Sequence, residues 1–196
     1  MIKTEREKMK KALFICSSPR KNSNTNKIVD MVIDIFKEKN IEAIKVDVAN
    51  LKYKTNGCID CGVCQKSEKY GCVIKDEATP ILEQIPQVDY LIFATPVYFM
   101  GPNAQLKLLL DRMQSLYKFK DSGHTSCIDH LKIGLISTGG GDLDLGLNLL
   151  DETMKVLSDY TGAEYCSILI PCAGGYKDIA VEGEVLNKVK QFADNF

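Results

Sequence analysis

Short, nearly unbroken apolar runs recur along this chain, and the segments between them carry apolar residues at helical spacing. Ala12–Cys16, Ile41–Val48, Asp89–Thr95, Leu131–Ser137 and Glu164–Ile170 have the pattern of buried strands. Thr25–Lys39, Ala78–Ile85, Asn103–Leu116, Leu145–Tyr160 and Val181–Phe196 have the period of helices, and Lys118 to His130 reads as a polar connection. Strands that are apolar on both faces and alternate with amphipathic helices require a parallel sheet covered on both sides. At 196 residues the chain is long enough for one such domain with a full core.

The expected fold class is α/β: a flavodoxin-like, doubly wound, five-stranded parallel sheet of order 2-1-3-4-5, with a cysteine-rich loop after strand two. Residues 11–196 would form this domain, and the charged residues 1–10 a short extension. In such a sheet the ligand lies beyond the carboxyl ends of the strands, where the strand order reverses. Three loops should therefore meet in one crevice: Ser17–Thr25, Pro96–Asn103 and Thr138–Asp142.

The first of these runs from an apolar strand through Ser17, Ser18, Pro19, Arg20, Lys21, Asn22, Ser23, Asn24 and Thr25 into a helix. Hydroxyl and amide donors there join the free N–H groups and positive dipole end of the helix, which suits an anion. The loop lacks both Gly-x-x-x-x-Gly-Lys-Ser/Thr and Gly-x-Gly-x-x-Gly, which disfavours a P-loop nucleotidase and a dinucleotide fold. A terminal phosphate monoester remains, beside the plainer alternative of a helix cap at Ser23 or Asn24. The second loop, Thr95-Pro96-Val97-Tyr98-Phe99-Met100-Gly101-Pro102, offers apolar and aromatic surface to a flat ring, or else forms a core corner or subunit contact. Thr138-Gly139-Gly140-Gly141 permits close backbone approach to a flat ligand, or is a flexible turn. Together the three loops point to a mononucleotide with a planar ring.

Ser17-Ser18-Pro19-Arg20…Ser23-Asn24-Thr25, Thr95-Pro96-Val97-Tyr98-Phe99 and Leu106-Lys107…Asp111-Arg112 resemble, in that order, the NADPH-dependent FMN reductase branch of flavodoxin-like proteins. The resemblance implies an oxidoreductase that binds FMN. Ser17, Ser18, Arg20, Ser23, Asn24 and Thr25 would hold the phosphate. Pro96, Val97, Tyr98 and Phe99 would line the ribityl chain and ring, with Thr138, Gly139 and Gly140 at the ring edge. The Asp111-Arg112 pair looks structural.

Cys58-x-x-Cys61-x-x-Cys64, followed by Cys72, is the most informative spacing in the chain. Zinc sites commonly place two Cys-x-x-Cys knuckles on separate turns. Here three thiols crowd one turn and a fourth follows, closer to the ferredoxin pattern, although Val73 stands where bacterial ferredoxins carry proline. Three chemistries suit the segment: an iron–sulfur cluster, a zinc site or redox dithiol, and a reduced-thiol loop with no metal. The spacing also resembles that of the iron–sulfur flavoproteins of the same family, which implies a [4Fe–4S] cluster on Cys58, Cys61, Cys64 and Cys72 exchanging electrons with FMN. The alternatives are a cluster-free NAD(P)H-dependent FMN or quinone reductase, and a non-catalytic flavin- or zinc-binding module.

Composition narrows the partners. Apolar residues make up 45% and charged residues 26% of the chain, and the formal net charge is -1. Neither a nucleic acid nor a membrane is favoured as a partner. The charged start lacks a signal-peptide core, and no apolar run approaches the roughly 18 residues of a membrane span. A cytoplasmic location follows as the expectation, and eight cysteines there argue against structural disulfides. Cys16 and Cys166 read as small buried hydrophobes. Cys172 lies at a strand end near Gly174-Gly175, where packing is the favoured role. His124-x-x-Cys127-x-x-His130 has ligand-like spacing but no evident fourth ligand. No Ser-His-Asp order or acid–base carboxylate pair is present, so no catalytic side chain is expected; in a flavin enzyme the cofactor carries that chemistry. The resemblance implies a small-molecule or protein redox partner and at least a homodimer.

Overall fold

The computed structural model describes residues 9–175, 179 and 183–196. Most of the expected extension, residues 1–8, and the start of the expected last helix at Val181 lie outside the described residues. Five parallel strands build the main sheet among the described residues: β1 (Lys11–Cys16), β2 (Glu42–Asp47), β3 (Tyr90–Tyr98), β7 (Lys132–Thr138) and β8 (Glu164–Ile170), in the order β2-β1-β3-β7-β8. With the short strands β4 (Gly101–Pro102), β5 (Tyr117–Lys120) and β6 (Gly123–Ser126) set aside, this is the expected 2-1-3-4-5. The α/β flavodoxin-like architecture is therefore present.

The helices are α1 (Asn24–Glu38), a four-residue α2 (Val63–Lys66), α3 (Thr79–Gln84), α4 (Ala104–Arg112), α5 (Asn148–Thr161) and α6 (Glu184–Asp194). Successive strand residues point to opposite faces, so the apolar runs supply two cores. Leu13, Ile15, Leu91, Phe93, Ile133 and Leu135 pack with Leu82, Leu106, Leu109 and Leu150 on one face. Phe14, Cys16, Ile92, Ala94, Ile136 and Ile168 pack with Ile28, Val32, Phe36, Val189 and Phe192 on the other. Both faces of each central strand are thus buried, which explains why the sequence shows no polar alternation there.

Three expectations need correction. The stretch from Lys118 to His130 is not only a polar connection, because β5 and β6 form an antiparallel hairpin within it. Its alternation was masked by polar and charged residues on exposed positions. The third large strand does not stop before Pro96 but continues to Tyr98. Pairing with β1 ends at Cys16–Ala94, so a proline two residues later forfeits no hydrogen bond on that side. Finally, regular helix begins at Asn148 rather than Leu145. Leu143–Leu147 forms an irregular turn in which Gly146 takes φ +110°. A Cβ at Gly146 would lie 2.7 Å from Val97 Cγ1 and 2.8 Å from Met100 Cα, so only glycine lets this turn close on the loop after β3.

Asn103 joins the loops to the sheet. It is fully buried, its Oδ1 accepts from Leu106 N at 3.2 Å to cap α4, and its Nδ2 donates to the Ser17 carbonyl at the end of β1. Thr95 Oγ1 donates to Asn103 Oδ1 at 3.3 Å. One side chain therefore fixes the ends of β1 and β3 and the start of α4. Asn103→Ala is expected to destabilise the fold by about 2 kcal/mol through the lost cap and an unpaired buried carbonyl, measured by urea unfolding.

Candidate functional site

β1 feeds a loop that ends in α1, and the local sequence determines how that loop is held. Ser17 continues the strand pairing, with its N–H donating to Ala94 O at 2.9 Å and its buried hydroxyl to the same carbonyl at 3.2 Å. Ser23 caps α1, its Oγ accepting from Asn26 N at 3.1 Å. The first turn of α1 carries no acidic residue, so the positive end of its dipole is not neutralised from within.

This loop borders a cavity of about 230 Å³. Ser18, Arg20, Ser23, Asn24 and Thr25 line one part, Pro96, Val97 and Tyr98 a second, and Thr138, Gly139 and Gly140 a third. The three strand-end loops therefore meet as expected. Two expected residues do not line the cavity. Ser17 is turned into the strand pairing just described, and Phe99 stands fully exposed with φ +45°. The adjacent Met100 also has positive φ, and that pair of left-handed residues swings the Phe99 ring out of the crevice.

Four residues outside the expected set complete the lining: Asn22 and the segment Ala173–Gly175 after β8. The segment is drawn in by close contacts. Ala173 N donates to Gly139 O at 2.6 Å, and a Cβ on Gly174 would fall 2.5 Å from Gly140 Cα. Asn24 Nδ2 donates to Ala173 O at 2.7 Å, Arg20 Nη1 to Gly174 O at 3.1 Å, and Thr25 and Thr138 share a hydroxyl contact of 2.7 Å. The signal was present in the sequence: an apolar strand followed by Gly174-Gly175, the same pattern that singled out Gly139-Gly140.

A second cavity is lined by Cys58, Cys61, Cys64 and Cys72, together with Arg112, Gln114 and Ser115. The loop that bears these cysteines leaves the carboxyl end of β2 and is tied down along its length. Gly71 N donates to Ser115 O at 2.9 Å, and Gln65 Nε2 donates to Tyr117 O at 3.0 Å. Lys118 Nζ reaches the carbonyls of Cys64, Ser67 and Lys69, and Tyr70 OH donates to Thr125 Oγ1 at 3.1 Å. The β5–β6 hairpin, invisible as such in the sequence, is thus the support of the cysteine loop.

The loop's exit is held by charge. Arg112, in the last turn of α4, is buried; its Nη1 donates to both Asp76 carboxylate oxygens at 2.7 Å and its Nη2 to Ile74 O at 2.8 Å. Burial opposes ionisation of Asp76, but hydrogen bonds from Arg112 and from the Lys54 and Ala78 backbone outweigh it and lower its pKa. Burial likewise opposes the Arg112 charge, and Asp76 and the Cys72 sulfur outweigh that and raise its pKa. The expected structural role of Arg112 holds, with its place now specific.

Two N–H donors already face cysteine sulfurs: Asp60 N to Cys58 Sγ at 3.4 Å and Gln65 Nε2 to Cys64 Sγ at 3.5 Å. Among the described residues, no group of three or more His, Cys, Asp or Glu side chains is arranged to hold a single metal ion. His124 stacks on Tyr160 with ring centroids 4.1 Å apart, while His130 Nε2 lies 3.2 Å from Val88 O, so the His-Cys-His spacing does not converge. Cys16 is buried, and burial pushes its thiol up to about 12, as suits a packing residue. Cys166 is half-buried and shifted the same way to about 12. Cys172 does not pack as expected: it is exposed with φ +56°, and its Sγ donates to Asp142 Oδ1 at 3.4 Å. No helix among the described residues is long and apolar enough to cross a membrane.

Residues 10–166 match the family described as NADPH-dependent FMN reductase. An iron–sulfur flavoprotein of Methanocaldococcus jannaschii is 36% identical over 106 residues, covering 54% of this chain and 53% of that protein. An iron–sulfur flavoprotein of Methanosarcina thermophila is 37% identical over 98 residues, covering 50% and 49%. These matches span about half the length of the curated relatives. An NAD(P)H:quinone oxidoreductase from Methanothermobacter marburgensis has the same fold, with a TM-score of 0.71 at 15% identity over 95% of this chain and 97% of that one.

Lys118→Met would free three loop carbonyls while leaving the five-stranded parallel sheet untouched. Hydrogen exchange between residues 58 and 72 is expected to speed up several-fold with little change in β3 and β7. Unchanged exchange in the loop would remove Lys118 as its strap.

Proposed function

The chain belongs to the NADPH-dependent FMN reductase family, and from that premise we propose that it is an FMN-dependent oxidoreductase of the iron–sulfur flavoprotein type. The observation that carries the flavin assignment is the single crevice in which a donor-rich loop, an acid-free helix start and two glycine-bearing strand ends meet. The residues present fit FMN: hydroxyls, Asn24 and Arg20 at one end suit a phosphate, and the Pro96–Tyr98 surface suits a flat ring. The donors that a phosphate would need now bind the Ala173 and Gly174 carbonyls, so these bonds are exchanged when it enters. Residues 11–196 act as one FMN-binding domain.

Four thiols around one cavity, two of them already accepting N–H hydrogen bonds, fit a [4Fe–4S] cluster in their donor chemistry. The names of the curated relatives support the same choice.

Bound FMN supplies one- and two-electron exchange, and a cluster supplies one-electron exchange. The chain's own part is to place them. The loop 18–25 anchors the phosphate, Pro96–Tyr98 and Gly139–Gly140 fix the ring, and α4 runs from Asn103 beside the flavin crevice to Arg112 beside the cysteines. No side chain in the crevice is required to move a proton. NADH or NADPH is the proposed donor. Exposed Tyr98, Phe99, Met100, Leu145 and Leu149 beside the crevice mouth favour a homo-oligomer that covers it. A cluster-free NAD(P)H:quinone reductase, which uses the same crevice, is the alternative.

Anaerobic purification followed by flavin, iron, acid-labile sulfide and zinc assays on one sample separates these cases. Flavin with iron and sulfide is expected; flavin without either, after reconstitution, gives the quinone-reductase alternative. Arg20→Ala is expected to weaken FMN binding about tenfold while leaving riboflavin affinity unchanged, measured by fluorescence titration. Equal losses for both ligands would remove Arg20 from the phosphate site.

A further inference from the structure

Arg112 is almost wholly buried, and its two terminal nitrogens are engaged with Asp76 and the Ile74 carbonyl. Its Nε is buried without a hydrogen-bond partner. A buried N–H left unpaired costs about 1–3 kcal/mol, so an arginine held this firmly with one donor unused calls for an acceptor. The neighbouring group is a sulfur, since Arg112 and Cys72 line the same cavity.

The other cysteines sharpen the assignment. Cys58 accepts from Asp60 N and Cys64 from Gln65 Nε2, whereas neither Cys61 nor Cys72 has such a donor among the described hydrogen bonds, and of these two it is Cys72 that lies just before the Ile74 carbonyl gripped by Arg112. Cys72 is also the ligand farthest along the loop, four residues before the Asp76 that holds Arg112 in place. The ion pair is therefore built where it can present a fixed cation to the fourth sulfur.

We propose that Arg112 is a positioning residue that donates Nε–H to the Cys72 sulfur and raises the reduction potential of the cluster held by the four-cysteine loop. This rests on the iron–sulfur assignment made above. A thiolate gains negative charge when the cluster to which it is bound takes up an electron, so a fixed cation and an N–H donor beside it favour the reduced form. Asp76 moderates the effect by offsetting part of the guanidinium charge.

The test uses the anaerobically reconstituted full chain, with the cluster potential followed by electron paramagnetic resonance in a redox titration. Arg112→Lys keeps a cation against Asp76 but removes Nε–H. It is expected to lower the reduced-to-oxidised ratio at fixed poise about tenfold, equivalent to ~59 mV for a one-electron couple. Asp76→Asn keeps the guanidinium and removes its counter-charge, so the shift should have the opposite sign. General loosening of the loop would not move the two variants in opposite directions.

If neither variant retains a cluster, wild-type protein labelled with 15N-arginine decides the matter. A nitrogen hyperfine coupling to the reduced cluster supports the proposal, and its absence overturns it. Variants that keep the cluster at the wild-type potential also overturn it, while leaving the iron–sulfur assignment standing. Wild-type protein that takes up no iron or sulfide overturns both.

Discussion

The buried ion pair between Arg112 and Asp76 is the interaction on which the arrangement of the molecule around its cysteines depends. Removing one partner of such a pair strands a charge in the interior at a cost of about 3–5 kcal/mol, so the pair forms together or the loop does not settle. Its position gives it reach. Asp76 lies at the exit of the cysteine loop, where it also accepts from the backbone of Lys54 and Ala78. Arg112 ends the helix that Asn103 caps beside the strand-end crevice. One ion pair thereby locks the cysteine loop to an element whose other end is fixed by Asn103 to β1 and β3.

That coupling ties the walls of two separate cavities to each other. The parallel sheet sends every strand out at the same edge, so the crevice and the start of the cysteine loop share a side. α4 spans the interval between them with a rise of roughly 14 Å. The β5–β6 hairpin then covers the loop from the far side through Lys118, Tyr117 and Thr125. A surface loop rich in glycine and lysine is in this way given fixed partners along most of its length.

Much of this was legible in the residues. Near-continuous apolar strands such as Leu13–Ile15 and Leu91–Phe93 admit burial on both faces, and the two cores confirm it. The convergence of Ser18–Thr25, Pro96–Tyr98 and Thr138–Gly140 followed from topology alone. What the sequence concealed depends on tertiary partners. Tyr117–Lys120 and Gly123–Ser126 pair with each other and hydrogen-bond the cysteine loop, contacts that their weak apolar pattern does not announce. Ser17 looked like a ligand-facing hydroxyl, but the strand ladder claims it first. Phe99 points outward through a backbone conformation that no periodicity reports. Arg112, an ordinary charged residue at the end of a helical pattern, is buried only because Asp76 meets it there.

The central claim is that the crevice and the cysteine cavity hold two redox centres that exchange electrons. The most direct measurement is an anaerobic reductive titration of the reconstituted protein, with flavin absorbance and cluster paramagnetic resonance read on the same samples. The account predicts that the chain accepts more reducing equivalents than its flavin alone can take, with a cluster signal appearing alongside flavin bleaching. Bleaching complete at the flavin's own equivalents, with no paramagnetic iron signal, would contradict it.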